Sequence, residues 1–536
     1  MIARPEYQLF YEAFDATKLT GEFQGNFDTG INACVECCDR HIGENRVALN
    51  WKRISGQSGS CTFEELQVKS AKIANLLVAH GVRPGDRVAG LLPRIPELVA
   101  LILGVLRAGA VYQPLFTAFG PKAIEHRISS SDAKIVVTDK SNRSKLDGLE
   151  DQLVIMSIDG DNNDVDFTTE VDKQSDSFLP VMRRGTDAFL MMFTSGTTGA
   201  PKGLKIPLRG LAGFSGYMQF ALDLQPKDIF WNIADPGWAY GLYYAVVGPL
   251  LLGHQTTFNE GPFTVESTAE LVQELGITNF AGAPTAYRMI IAEDSQAAKS
   301  LADNLRVASS AGEPLNPEVM RWFKQNINCD LLDQYGQTEC GMVLANHHGL
   351  HHDVRPGSAG FPMPGFTLKV VDDEGNPLPQ GTQGILAIDR SNSPLFFFDG
   401  YLGMEGEGWI GDYYLTGDTV EENDDGSISF VGRSDDVITS SGYRIGPFDV
   451  ESCLLEHAAV SESAVVGIPD KERGEIVKAF VVLHPGYQSE DTLAEDLIQH
   501  VRNRLGKHAF PRQVKFMDSL PKTPSGKIQR FILRKE

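Results

Sequence analysis

The stretch Thr194-Ser195-Gly196-Thr197-Thr198-Gly199-Ala-Pro-Lys202-Gly203 gathers hydroxyls, glycines and one lysine, the residue types that hold a polyphosphate. Glycine lets backbone N–H groups turn toward an anion, the hydroxyls add donors, and Lys202 adds a compact positive charge. The spacing is not that of a Walker loop, which needs Gly-Lys-Ser/Thr where this chain has Ala-Pro-Lys-Gly after Gly199. On residue types alone the stretch reads either as an ATP grip or as an ordinary Ser/Thr/Gly surface loop. Other clusters carry less chemistry. Cys34-x-x-Cys37-Cys38 has no second pair at zinc-site spacing, and His347-His348 and His351-His352 stand beside Gly349 and Pro356-Gly357, which favour a loop. Both are read as non-metal.

Such residues need elements to position them. The apolar run 189–193 leads into the loop as a buried strand would. Over residues 62–118, Thr62 caps a helix with Glu65 three residues on, and Phe63, Leu66, Ile73, Leu76 and Leu77 follow its apolar stripe to His80-Gly81. A strand over 87–92, a helix over 96–108 and a strand over 110–114 follow, an alternation that implies a largely parallel sheet between helices. The pattern resumes with strands over 229–233, 277–281 and 305–309 and an apolar helix over 241–252. From about 360 the texture becomes short glycine-punctuated segments, with a turn at Asp424-Asp-Gly426. The fold class expected is α/β: a large N-terminal domain over 1–433, of parallel-rich sheets flanked by helices with a small β-rich subdomain at about 360–433, and a small α+β C-terminal domain over 434–536.

With 536 residues, 42% hydrophobic and 22% charged, the composition is that of a soluble globular chain. A net charge of -22 argues against a nucleic-acid surface, so an anionic substrate must meet locally placed cations. The N-terminus lacks a basic region followed by an apolar core, no apolar run reaches transmembrane length, and the seven cysteines are irregularly spaced. A cytoplasmic protein with reduced thiols and no membrane span is expected.

Further along, Ala234-Asp-Pro-Gly-Trp238, Ala311-Gly312-Glu313-Pro314, Asp333-Gln334-Tyr335-Gly336-Gln337-Thr338-Glu339, Tyr414-Leu-Thr-Gly-Asp418, Gly432-Arg433-Ser-Asp435-Asp436, Ser441-Gly442-Tyr443-Arg444 and Pro521-Lys-Thr-Pro-Ser-Gly-Lys527 follow the loop in order. Together they resemble the adenylate-forming (ANL) superfamily, in particular acyl-CoA synthetases of the acetyl-CoA and medium-chain acyl-CoA type. The resemblance implies a ligase of two steps. A carboxylic acid and Mg-ATP give acyl-AMP and pyrophosphate, and coenzyme A then displaces AMP. It also implies a C-terminal domain that rotates between the steps about a hinge at Asp435.

Residue roles carry over from the same resemblance. Lys527 would bridge the carboxylate and the α-phosphate, Thr338 would bond the α-phosphate, and Glu339 would hold Mg2+. Gly312, Glu313, Pro314 and the run Asp333, Gln334, Tyr335, Gly336 and Gln337 would border the nucleotide, with Tyr335 offering its face to adenine. Asp418 and Arg433 would meet ribose, and Arg444 the phosphates or the acyl-adenylate. Thr194 to Gly199 with Lys202 would cover the β- and γ-phosphates. Ser441, Gly442 and Tyr443 would border the pantetheine tunnel, with Arg473 and Arg502 on the CoA phosphates, while Lys522, Arg534 and Lys535 are read as solvated tail residues. The acyl pocket would be lined by Trp238, Ala239, Tyr240, Ala311 and Gly336. Acetate-specific relatives place tryptophan at the last position, so glycine would remove a wall and favour a short-to-medium-chain or aryl acid. A stand-alone ligase loading a carrier protein and an inactive adenylate-binding regulatory protein are the alternatives. Monomer and homodimer are both open.

Overall fold

The computed structural model describes residues 4–160, 164–194, 201–293, 296–440, 443–470, 473–505, 509–523 and 527–536. The alternation over 62–118 builds a seven-stranded sheet. Strand Arg87–Leu91 runs parallel between Val111–Pro114 and Ala133–Thr138, Ala188–Phe193 joins in parallel through Tyr112 and Leu190, and Gly203–Pro207 turns back antiparallel at the edge. Helix Phe63–Ala79 begins on a capping box in which the Thr62 hydroxyl accepts from Glu65 N at 3.1 Å and the Glu65 carboxylate accepts from Thr62 N at 2.9 Å. It ends at His80, as the sequence predicts. Helix Pro96–Arg107 starts with proline at its first position, where the missing N–H has no partner to lose.

A second sheet carries Phe230–Asn232, Asn279–Gly282, Val307–Ala311 and Asp330–Gln337 in parallel, closed by antiparallel Gly341–Ala345 and Phe361–Pro362. The helix expected over 241–252 is present but irregular. It runs through Ala239–Gly241, widens to π-type turns over Leu242–Val247, and returns to α-form at Gly248–Leu251. Pro249, in that last stretch, has no N–H for the carbonyl four residues back. That carbonyl, Ala245 O, takes the Thr256 hydroxyl instead, at 2.6 Å.

The glycine-punctuated region forms an antiparallel sheet of Leu368–Val371, Gln383–Asp389, Trp409–Ile410, Tyr413–Glu422 and Ile428–Arg433, the last two joined through the expected Asp424-Asp-Gly426 turn. Beyond it lies a separate sheet of Ile438–Ser440, Tyr443–Ile445, Val460–Asp470, Gly474–Leu483 and Gln513–Phe516, covered by helices Pro447–Leu455 and Asp491–Leu505 around a core of its own. No helix among the described residues is long and apolar enough to cross a membrane. All seven cysteines are unpaired and buried, Cys34, Cys37 and Cys38 within the main core.

Candidate active site

Three adjacent parallel strands end at one edge, with Gly282 opposite Ser310 and Ser310 opposite Asp333. Such carboxyl ends are where open α/β sheets place ligands. From them emerge Gly312-Glu313-Pro314 and Thr338-Glu339. Gly312 has φ 98°, a backbone that other residues adopt only with strain, so the turn out of the strand depends on glycine. Glu313 accepts from Arg288 Nη2 at 3.1 Å.

Strand alternation sorts the residues that follow. Asp333 Oδ2 accepts from Leu315 N at 3.0 Å, whereas its Oδ1 is buried with no hydrogen-bond partner among the described residues. Burial pushes the Asp333 carboxyl up to about 8. The Tyr335 hydroxyl and the Gln337 amide donate to one oxygen of Asp418, at 2.5 and 2.7 Å. Arg433 Nη1 meets the other oxygen at 3.3 Å. Asp418 is buried, which raises its pKa, while the charges of Arg433 and of Lys527, far along the chain, pull it down. The side chain of Gln334 departs from the expected grouping around the nucleotide. One position out of phase with Asp333 and Tyr335, it faces the opposite side, where its Oε1 accepts from the Tyr217 hydroxyl and its Nε2 approaches Ser309 Oγ at 3.4 Å.

Glu339 is a buried carboxylate bonded by the Tyr401 hydroxyl at 2.7 Å, its pKa raised by burial and by the nearby charge of Asp418. The ammonium of Lys202 stands 5.0 Å from the Tyr401 ring centroid and pairs with Glu407. Thr194 N donates to Lys202 O at 3.0 Å and closes the base of the loop; Ser195, Gly196, Thr197, Thr198 and Gly199 lie outside the described residues. Tyr401 and Glu407 were not singled out by sequence, since they sit in a stretch without a motif and join the site only by tertiary contact. Tyr243 donates to Thr338 O at 3.1 Å, which fixes the turn between Thr338 and Glu339.

On the face that Gln334 shares, the Tyr217 and Tyr240 hydroxyls lie 3.2 Å apart, and Ala311 pairs with Gln334 in register. Ala239 and Tyr240 pack against the main core. Trp238 packs on Phe116 and Phe119, with ring centroids at 5.4 and 5.1 Å. Gly336 lies where its hairpin is drawn tightest. A Cβ there would lie 2.1 Å from Gly341 O, so the hairpin backbone fills the space toward which a side chain would start. The glycine serves the close approach of its own strands.

From the C-terminal unit, Lys527 is exposed, its N–H bonded to Thr523 Oγ1 at 3.1 Å and its carbonyl accepting from Thr523 N at 2.7 Å. Arg534 is not the idle tail residue expected. It donates to Asp435 O at 2.9 Å and to Asp436 Oδ1 at 2.5 Å, and Arg530 binds both Glu451 oxygens at 2.7 and 2.9 Å. Lys522 likewise pairs with Glu462 at 2.5 Å. Arg473, Arg502 and Arg512 come together, their mutual repulsion adding to burial in lowering the pKa of Arg512, which lies 3.9 Å from the Phe510 ring centroid. Ser441 and Gly442 lie outside the described residues, while Tyr443 and Arg444 pair through their backbone with Ser440 and Thr439.

The model of the AMP-binding enzyme family matches residues 39–402, and that of the AMP-binding enzyme C-terminal domain matches residues 449–527. The chain is 37% identical over 541 residues to an acetyl-coenzyme A synthetase of Bacillus subtilis, covering 98% of this chain and 94% of that one. It is 38% identical over 508 residues to the mitochondrial acyl-coenzyme A synthetase ACSM3 of Mus musculus, covering 91% and 86%. Among solved structures, an acyl-CoA synthetase of Brucella canis superposes with a TM-score of 0.81 at 56% identity, covering 99% of this chain and 98% of that one. On these matches and the strand-end site they span, the chain belongs to the AMP-binding enzyme family.

Proposed function

We propose that the protein is an ATP-dependent, AMP-forming acyl-CoA synthetase that joins a carboxylic acid to coenzyme A through an acyl-adenylate. The observation that carries this reading is the group of buried acids Asp333, Glu339 and Asp418 at the strand-end site, with Asp418 held by Tyr335, Gln337 and Arg433. A site that joins two anions must supply positive charge and alignment, not a proton shuttle.

Asp333 Oδ1, an acceptor without a donor among the described residues, accepts from the exocyclic amine of adenine, and the Tyr335 ring offers adenine its face. Asp418, already oriented by Tyr335, Gln337 and Arg433, accepts from the ribose hydroxyls. Thr338 donates to the α-phosphate, and Lys202 meets the departing pyrophosphate. Glu339 suits Mg2+, because a buried carboxylate with one hydroxyl donor offers a hard anionic oxygen. Bound there, the ion would neutralise phosphate charge. Lys527 binds the carboxylate of the acid and the α-phosphate together, holding them at attack distance and balancing the charge that builds between them. After adenylation, rotation at Asp435 carries Lys527 away and brings Ser441 to Tyr443 to the cleft, with Arg473 and Arg502 on the CoA phosphates. The unpaired cysteines suit a reducing cytoplasm.

Trp238, Tyr240, Ala311 and Gln334 bound the acyl side, and a short-to-medium-chain or aryl acid is the substrate class we favour. A panel of acetate, butyrate, hexanoate, octanoate and benzoate, followed by pyrophosphate release with CoA present, tests it. The expected result is faster turnover on butyrate through octanoate or on benzoate than on acetate, with AMP and acyl-CoA formed in equal amounts. Preference for acetate would overturn the substrate class. Transfer to a carrier-protein phosphopantetheine but not to CoA would overturn the acceptor.

A further inference from the structure

Outside the cleft, helices Pro447–Leu455 and Asp491–Leu505 pack side by side over the C-terminal core. The end of the first presents Cys453, Glu456 and His457, and the second presents Asp496, His500 and Arg504 at successive intervals of four residues, one helical face. The Cys453 thiol, a carboxylate oxygen of Glu456 and a ring nitrogen of His500 lie within 4.8 Å of one another.

The surrounding hydrogen bonds decide which donors are left for a ligand. His457 Nδ1 accepts from Ala459 N at 3.2 Å, so its proton sits on Nε2, which faces Asp496 at 3.1 Å. Both its nitrogens are used. His500 Nε2 meets Cys453 O at 3.0 Å, and because a carbonyl only accepts, Nε2 carries the proton and the imidazole lone pair stands on Nδ1. A backbone carbonyl holding the N–H of an imidazole is the usual outer support of a metal-ligating histidine. Arg504 Nε takes Oε2 of Glu456 at 2.6 Å and leaves Oε1 for another partner. Cys453 is buried, which keeps its thiol protonated at neutral pH until something displaces the proton.

We propose that Cys453, Glu456 and His500 bind a thiophilic divalent metal ion of the zinc class, with water as the fourth ligand, and that the ion staples the two helices together. One thiolate, one imidazole and one carboxylate suit Zn2+ or Co2+ and not Mg2+, which takes oxygen ligands. Binding exchanges the thiol proton for the metal, so that one proton leaves per ion bound. The staple would also stiffen the helix end beside Ser452, whose carbonyl faces Asn316 Nδ2 of the N-terminal part at 3.4 Å.

The test is titration of the full chain with Co2+ alone, in buffer free of other metals, read by near-ultraviolet absorbance. A thiolate-to-cobalt band saturating at one equivalent is expected, with affinity rising about tenfold per pH unit while the thiol stays protonated. Zn2+ should displace it. The band should vanish in Cys453→Ser, and affinity should fall at least tenfold in His500→Gln and in Glu456→Gln. Circular dichroism identifies folded variants, and His500→Gln decides the matter if Cys453→Ser does not fold. No band at millimolar Co2+ overturns the proposal. So does a band of unchanged affinity in folded His500→Gln or Cys453→Ser, which would belong to another thiol.

Discussion

Asp333 shows how much one atom can carry. Its Oδ2 is taken by Leu315 N while Oδ1 is buried without a partner among the described residues, and burial pushes the carboxyl up to about 8. A carboxyl raised in the folded state keeps its proton over a range in which the unfolded chain has lost it. Stability of the ligand-free protein should therefore fall as pH rises from about 4 to 8, and denaturant titrations at several pH values should show a shallower fall in Asp333→Asn. An adenine amine donating to Oδ1 favours the carboxylate, so ATP binding near pH 7 should release a proton, readable by calorimetry in buffers of different ionisation enthalpy. In Asp333→Asn one acceptor remains for two donors, and an unsatisfied buried donor costs roughly 1–3 kcal/mol. KM for ATP should rise roughly five- to hundredfold, with KM for the acid unchanged.

At the scale of elements, the site depends on how closely the hairpin after the last parallel strand is drawn together. A Cβ at Gly336 would meet Gly341 O at 2.1 Å and Met342 Cα at 2.7 Å, both backbone atoms that cannot rotate away. Gly336→Ala should cost about 1–3 kcal/mol by overpacking and should displace Thr338 and Glu339 as well. Thr62→Ala is the matched control: it removes a helix cap remote from the cleft, for about 1 kcal/mol. Urea unfolding should place both variants below the parent, whereas ATP–pyrophosphate exchange should collapse only in Gly336→Ala. Much of this level was legible in the sequence. The capping box at Thr62, the strand over 188–193 and the turn at Asp424-Asp-Gly426 are local signals that tertiary contact does not override. The π-type turns at Leu242–Val247 were not legible, because an all-apolar run carries no helical phase. The side-chain partners of Gln334, Tyr217 and Ser309, were not legible because a contiguous motif hides the alternation of a strand. Tyr401, Glu407 and Arg512 belong to no motif and reach their partners only once the chain has folded.

For the whole molecule, the question is how one cleft can serve two reactions. The helix that follows Lys527 is tied back to the residues of the proposed hinge, through Arg534 to Asp435 O and Asp436, and to the helix after it through Arg530 to Glu451. Lys527 and Asp435 thus belong to the same small unit, and if Asp435 is the hinge, rotation about it would move the lysine with that unit. Proline at 435 fixes one of the two dihedrals that such a rotation needs. Asp435→Pro should form acyl-AMP at close to the parent rate and transfer it to CoA at least tenfold more slowly, measured by single-turnover release of pyrophosphate and then of AMP.

The central claim is that Lys527 supplies the charge for adenylation and leaves before thiolysis, and two half-reactions of Lys527→Ala measured side by side test it directly. ATP–pyrophosphate exchange with an accepted acid should fall by about 10²–10³, the loss typical of removing one preorganised charge-stabilising donor. Thioester formation from supplied acyl-AMP and CoA should stay within a few-fold of the parent. Equal loss of both half-reactions, or adenylation that survives without the lysine, would contradict the account.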